Sequence, residues 1–170
     1  MATKVVIERK SIYNAAAYLF IASHALIFAF IALHGYRPLV DVIPDILTVM
    51  GLVVLVGLIV GHELLHALGF LFAGVRLRSL SFNVFPPSVH SSDEISKVGM
   101  LVAVLLPLVV LGVVPQVFGL ASSEPLSFIV GTVMITPCVG DVVIAARVAK
   151  VPGDAKVRGH PTEIGFEISF

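Results

Sequence analysis

The segment ILTVMGLVVLVGLIVGHELLHALGFLFA, Ile46 to Ala73, is a nearly unbroken apolar run carrying the group His62-Glu63-Leu64-Leu65-His66. A helix needs about 20 apolar residues to cross the hydrocarbon core of a bilayer, and this run is longer. Its polar group has the form His-Glu-x-x-His. Four residues apart on a helix, the two histidines lie within about 40° of each other on one face. Both imidazoles can then reach one metal ion while the glutamate acts on water bound to it. Ionisable groups are costly in lipid, and where they occur they usually mark function. The expectation is a metal-dependent hydrolytic site inside a membrane span.

Composition agrees with that reading. Of 170 residues, 58% are hydrophobic and 13% charged, far from the usual balance of a soluble domain. The formal net charge is zero, which argues against nucleic acid as a partner. A single cysteine, Cys138, excludes an intrachain disulfide. Four apolar segments have spanning length, roughly 12–34, 46–73, 98–120 and 126–149. The first is too long for a signal peptide and lacks a small-x-small cleavage site. The expected architecture is an all-α integral membrane protein of four transmembrane helices with a small cytosolic β element. Residues 1–150 form the membrane domain and 151–170 a short cytosolic tail.

Basic residues set an orientation. With both termini in the cytosol, the inner segments hold Lys4, Arg9, Lys10, Arg76, Arg78, Lys97, Arg147, Lys150, Lys156 and Arg158, and the outer loops hold only Arg37. The expected location is a cell membrane crossed several times, with the site in the cytosolic half. By helical rise, His62 and His66 then lie about 10–17 Å below the cytosolic boundary.

A catalytic zinc takes three protein ligands and one open position. The fourth span also runs inward, and Asp141 lies about 12–14 Å from its end, at the depth of the two histidines. Asp141 is therefore the expected third ligand, Glu63 the general base, and Zn²⁺ the cofactor. The plainer reading of Asp141 is a buried carboxylate paired with Arg147 or a helix end. Pro137 and Gly140 precede it, and Pro137 is expected to kink the span and open carbonyls near the site. Cys138, three residues before Asp141 on the same face, is a thiolate-ligand candidate or, more simply, a small packed side chain. His24, deep in the first span, is a rival ligand, a transition-state donor or a hydrogen-bonded buried histidine, with the last favoured. Asn83, His24 and Thr136 are the candidates for stabilising an oxyanion. Gly61 is expected to let another backbone approach the metal. His34 is read as interfacial, and His90 and His160 as lying in polar segments outside the bilayer core.

Leu77 to Phe85 alternates apolar and polar residues as a strand does, and Pro86-Pro87 stops it. Thr162 to Phe170 alternates likewise. The two are expected to pair at the mouth of the site, either holding an extended substrate on an exposed edge or capping the helix ends. Ser88 to Lys97 reads as a mobile loop. Pro107, Gly112 and Pro115 suggest a kinked third span, either structural or a gate for lateral entry.

With these residues in view, the chain resembles the site-2 protease class of intramembrane zinc metalloproteases. It is similar above all to a family of small multi-span zincin peptidases. The shared features are His62, Glu63 and His66 in a membrane helix, Pro107 in the third span, Gly140-Asp141 in the last, and His160-Pro161-Thr162 near the C-terminus. The resemblance implies zinc-dependent cleavage of membrane-embedded or membrane-adjacent peptides, with the lipid bilayer and a membrane protein or peptide as partners. Where site-2 proteases carry an Asn-Pro-x-x-Asp-Gly pattern, this chain has Thr136-Pro137-Cys138-Val139-Gly140-Asp141-Val142 and no Asn in that helix. That departure touches the oxyanion partner and substrate grip more than the metal. No PDZ-like filter domain is present in the sequence. The competing classes are a catalytically inactive membrane scaffold of the same fold, against which the intact Glu63 argues, and a metal transporter. A transporter wants a polar path on both sides of the site, and Leu47 to Val60 offers almost none. Oligomeric state is not legible.

Overall fold

The computed structural model describes residues 3–83, 87–160 and 165–169. Strand β1 (Thr3–Val6) leads into helix α1 (Arg9–His34). Two short helices, α2 (Arg37–Asp41) and α3 (Ile43–Ile46), turn the chain into α4 (Val49–Phe72). The hydroxyl of Thr48 caps α4 by accepting from the Gly51 N–H at 3.0 Å. A 3₁₀ turn (Leu77–Ser79) and strands β2 (Leu80–Asn83), β3 (Ser88–Ser91) and β4 (Ile95–Ser96) follow. Then come α5 (Lys97–Pro107), a π-helical turn (Leu108–Val113), α6 (Val114–Ser122), α7 (Pro125–Ile135) and α8 (Val139–Val148). Strands β5 (Lys156–Gly159) and β6 (Gly165–Ser169) close the described chain.

Among the described residues, three helical stretches are long and apolar enough to cross a membrane: Arg9–His34, Val49–Phe72 and Lys97–Ser122. The α7–α8 pair, bent by 60° at a short break, is a fourth when counted as one span. The four apolar segments read from the sequence are these. The bend has a local cause. Pro137 has no N–H to give, and the N–H groups of Thr136 and Cys138 tighten onto the carbonyls of Val133 and Ile135, both at 3.1 Å. Pro107 and Pro115 act differently. They flank the π-helical turn, and the third span continues through it as one 26-residue helix.

Helix α5 packs against both α4 and α8. The α4–α5 crossing is close because Gly69 has no side chain: a Cβ there would lie 2.5 Å from the Ala103 Cα. Gly61, expected to admit a neighbouring backbone, has nothing within 4 Å of its would-be Cβ. The close approach falls two turns later, on the face that α4 turns towards α5. Small residues likewise seat α6 on α7, where a Cβ on Gly131 would meet the Gln116 N at 2.4 Å. The packed core lies where the C-terminal ends of α4 and α8 and the N-terminal half of α5 meet the strands, built from Phe70, Met100, Val104, Val148, Val157 and Phe166.

Strands β1, β6, β5 and β4 form one antiparallel sheet in that order, and β2 pairs with β3 separately. The four-stranded sheet gathers the start of α1, the start of α5 and both chain ends on one side of the helices. Two expectations are corrected. The strand after α4 pairs with β3, whereas the C-terminal strand pairs with β1 and β5, so the two lie in different sheets. The segment Ser88 to Lys97, read as a mobile loop, supplies β3 and β4. Alternation assigns a strand its faces but not its partner, and segments of two to four residues are too short to show a period. Val84 to Pro86, Pro161 to Ile164 and Phe170 lie outside the described residues, and with them parts of both alternating segments and of the His160-Pro161-Thr162 motif.

Helix α1 is exposed along most of its length, with Phe30 buried against Phe128 of α7. It is tied by Arg147, which donates to the Ser11 hydroxyl at 3.1 Å, and by His34 at its far end. The His34 Nε2–H donates to the Leu120 carbonyl at 2.7 Å, and the Ser123 hydroxyl donates to Nδ1 at 2.8 Å. His34 is therefore a strut between α1 and the α6–α7 turn.

Candidate metal centre

The apolar pattern of α4 turns His62, His66, Ala67, Gly69 and Phe70 to its buried face. His62 and His66 are 5% and 7% exposed, so neither ring is served by bulk water. The break at Pro137 starts α8 just before Asp141, which sits in the first turn of that helix. Negative charge is favoured there, because the first N–H groups of a helix have no partners within it. Since α4 and α8 both pack on α5, the carboxylate arrives beside the two imidazoles.

The distances define a small polyhedron. His62 Nε2 is 3.1 Å from His66 Nε2. Asp141 Oδ2 is 3.4 Å from His62 Nε2, and Asp141 Oδ1 is 3.4 Å from His66 Nε2. A tetrahedral site with bonds of about 2.0–2.1 Å has edges of about 3.3 Å between its ligand atoms. Good N–H···O hydrogen bonds are shorter, about 2.7–3.2 Å. The two nitrogen–oxygen spacings of 3.4 Å therefore suit a shared cation better than direct hydrogen bonds.

Tautomers point the same way. His66 Nδ1 lies 2.9 Å from the Ala103 carbonyl, which can only accept, so Nδ1 carries the proton. In the neutral ring Nε2 is then a bare lone pair, aimed at another imidazole nitrogen and a carboxylate. Asp141 Oδ2 and Glu63 Oε2 are buried without a hydrogen-bond partner among the described residues. An electron-rich cluster with unpartnered oxygens lacks a positive charge at its centre. On both counts the residues fit zinc, with His62, His66 and Asp141 as holders and Glu63 beside them.

A cavity of about 380 Å³ opens onto this cluster. Its wall includes His62, Glu63, His66 and Asp141 from the helices, and Asn83, Ser88 and His90 from the β2–β3 pair. The Val89 backbone N–H faces the Glu63 carboxylate. A larger crevice of about 470 Å³ lies at the far end of α4 against α7 and is lined almost wholly by apolar side chains. It contains none of the ionisable groups of the centre.

Of the other residues singled out in the sequence, Pro137 and Asn83 line the site cavity. Asn83 also donates to the Ser88 hydroxyl at 3.2 Å. Thr136 is exposed and forms no part of the cavity wall. His24 corrects an expectation: its Nδ1 bonds the Phe20 carbonyl at 2.8 Å, but it is exposed on α1 and takes no part in the cluster. Asp141 does not pair with Arg147, whose guanidinium goes to Ser11. Cys138 is buried, and its sulfur lies 3.8 Å from His62 Nδ1.

His90, expected in a polar segment outside the bilayer core, lines the wall of the site cavity. Burial holds its imidazole below the usual histidine range, and the nearby rings of His160 and His66 push in the same direction. It is therefore a neutral donor at neutral pH. The only signal for it in the sequence is the two-residue period of Ser88-Val89-His90-Ser91, in which Val89 and Ser91 are buried.

The fold and the site together define a mostly helical chain with several apolar spans and a helix-borne His-Glu-x-x-His group completed by a carboxylate from a broken span. Residues 54–156, more than half of the chain, match the family described as "Putative zincin peptidase", and the chain belongs to that family. No curated protein and no solved structure matches it.

Proposed function

We propose that this protein is a zinc-dependent endopeptidase of the site-2 protease type, cleaving peptide bonds of membrane-embedded or membrane-adjacent substrates. One observation carries the reading: donor atoms of three residues, His62, His66 and Asp141, meet at spacings of 3.1–3.4 Å on the buried face of a membrane-length helix, with an unpartnered glutamate oxygen in the same cluster. His62, His66 and Asp141 hold the metal. A zinc ion there supplies a Lewis acid for the scissile carbonyl and makes water a nucleophile near neutral pH.

The remaining chemistry belongs to the chain. Glu63 accepts a proton from water in the cavity and returns it to the departing amine. The Val89 N–H faces the Glu63 carboxylate, and Oε2 has no hydrogen-bond partner among the described residues and is free for that task. Asn83 and the neutral His90 are the N–H donors on the cavity wall for negative charge developing on the carbonyl oxygen. The β2–β3 pair beside the cavity suits an extended substrate backbone, the form that proteolysis requires. Basic residues cluster at the end of the helices where the sheet lies, which supports a cytosolic sheet and a site in the cytosolic half of a cell membrane.

The test is Glu63→Gln in the full chain, purified in detergent. A pool of synthetic transmembrane peptides serves as substrate, with cleavage read by mass spectrometry and zinc by elemental analysis. Loss of cleavage by at least about 100-fold with zinc retained supports the reading. Cleavage that survives the substitution, or a wild-type protein that takes up no zinc, sinks it.

A further inference from the structure

Each metal-facing imidazole has a second nitrogen pointing away from the cluster, and both are engaged. For His66 the outward nitrogen meets the Ala103 carbonyl at 2.9 Å. For His62 it meets the sulfur of Cys138 at 3.8 Å, within reach of a large sulfur acceptor. We infer that Cys138 is a positioning residue for His62. Its thiol accepts from the Nδ1–H, fixes the tautomer and turns the Nε2 lone pair into the metal centre. The inference rests on the metallopeptidase reading above.

The break in the fourth span explains why a thiol can do this. In a regular helix the Cys138 N–H would bond the Met134 carbonyl. Here it bonds Ile135 instead, at 3.1 Å, and leaves the Met134 carbonyl over. Cys138 Sγ lies 3.2 Å from that carbonyl, so the thiol hydrogen satisfies it. With its hydrogen committed to Met134, the sulfur turns its lone pairs to His62. Cys138 is fully buried, and no other acceptor is recorded at His62 Nδ1 among the described residues.

The competing role is direct ligation, since donor atoms of His62, Cys138 and Asp141 all lie within 4.8 Å of one another. Two observations oppose it. The sulfur approaches the nitrogen of His62 that faces away from His66 and Asp141, and one ion cannot take both nitrogens of a ring. A metal-bound sulfur would also be a thiolate, left facing the Met134 carbonyl oxygen without its hydrogen. A supporting partner of a ligating histidine typically contributes 10–100-fold in metal affinity, and a weak sulfur acceptor belongs at the lower end.

The experiment measures zinc affinity by chelator competition and records the cobalt(II) spectrum, on the full chain in detergent. Cys138→Ala should bind zinc about tenfold more weakly, while Cys138→Ser should stay within about threefold of wild type, because a hydroxyl can both accept and donate. The wild-type cobalt protein should show no near-ultraviolet sulfur-to-cobalt charge-transfer band. Unchanged zinc affinity in Cys138→Ala, or a charge-transfer band that Cys138→Ser abolishes, overturns the inference. If Cys138→Ala does not fold, Cys138→Val replaces it as the variant without an acceptor, and the wild-type spectrum still decides against ligation. A wild-type protein that binds neither zinc nor cobalt refutes the metallopeptidase reading itself, a result distinct from either.

Discussion

The two halves of α4 are alike in hydropathy and opposite in surroundings. From Val49 to Val60 the side chains are almost all exposed, Val49 at 79% and Met50 at 70%, and α7 meets them only across an open crevice. From His62 to Phe70 one face is buried against α5 and β3. The half from Val49 to Val60 is an exposed apolar surface of a helix long enough to cross a membrane. The half from His62 to Phe70 is apolar on its packed face because Gly69 brings α5 into contact. The chemistry is confined to the half that has protein neighbours. There the cost of burying two imidazoles is offset by the Ala103 carbonyl, the Cys138 sulfur and the Asp141 carboxylate.

The largest effect should come from removing what the inner half receives from α8. Asp141→Ala should lower zinc affinity by more than about 100-fold, beyond what loss of a supporting partner costs. Elemental analysis beside wild type checks it, and unchanged zinc would move the third ligand elsewhere. Next in size is the α4–α5 crossing. Gly69→Leu forces a side chain into the Ala103 backbone, with overpacking of about 1–3 kcal/mol or more and loss of the His66–Ala103 bond. The matched change in the outer half, Gly57→Leu, meets nothing within 4 Å and should stay within about 0.5 kcal/mol of wild type. Thermal unfolding in detergent compares the pair, and equal destabilisation would erase the contrast between the halves. A smaller effect is expected at the outer end of the helix. Thr48→Ala removes the cap of α4 and should cost about 1 kcal/mol without changing zinc content.

The smallest effect lies beyond the inner end, where Arg76 donates to Asp93 from its backbone N–H and twice from its guanidinium. That contact holds the Asp93 carboxyl well below the usual carboxylate range. A carboxylate with a depressed folded-state pKa stabilises above its ordinary pKa and loses that contribution as pH falls. Asp93→Asn should therefore lower the thermal midpoint slightly at neutral pH and flatten its decline below about pH 4. Identical acid profiles for the variant and wild type would show the pair to be inert.

Much of the site was legible because its signals are local. Four-residue spacing sets His62 and His66 on one face whatever packs around them, and helical rise set Asp141 at their depth. His90 and Val89 left almost no trace, because a four-residue strand shows at most two periods and its place over the site depends on its pairing with β2. The expectation of a buried His24 failed for a related reason. A polar residue in an apolar span is expected to find a protein neighbour, and α1 has few; His24 turns instead to the carbonyl one turn back on its own helix.

The sequence alone determined the spans, the histidine pair, the break at Pro137 and the candidate carboxylate, because each follows from chain-local geometry and the cost of polarity in an apolar run. Only the tertiary structure decided which strands pair, that Gly69 rather than Gly61 is the point of close approach, and which ring nitrogen of each histidine faces Asp141. Those depend on contacts between residues far apart in the chain, where α5 acts as a common surface for α4 and α8, and no spacing along one segment encodes them.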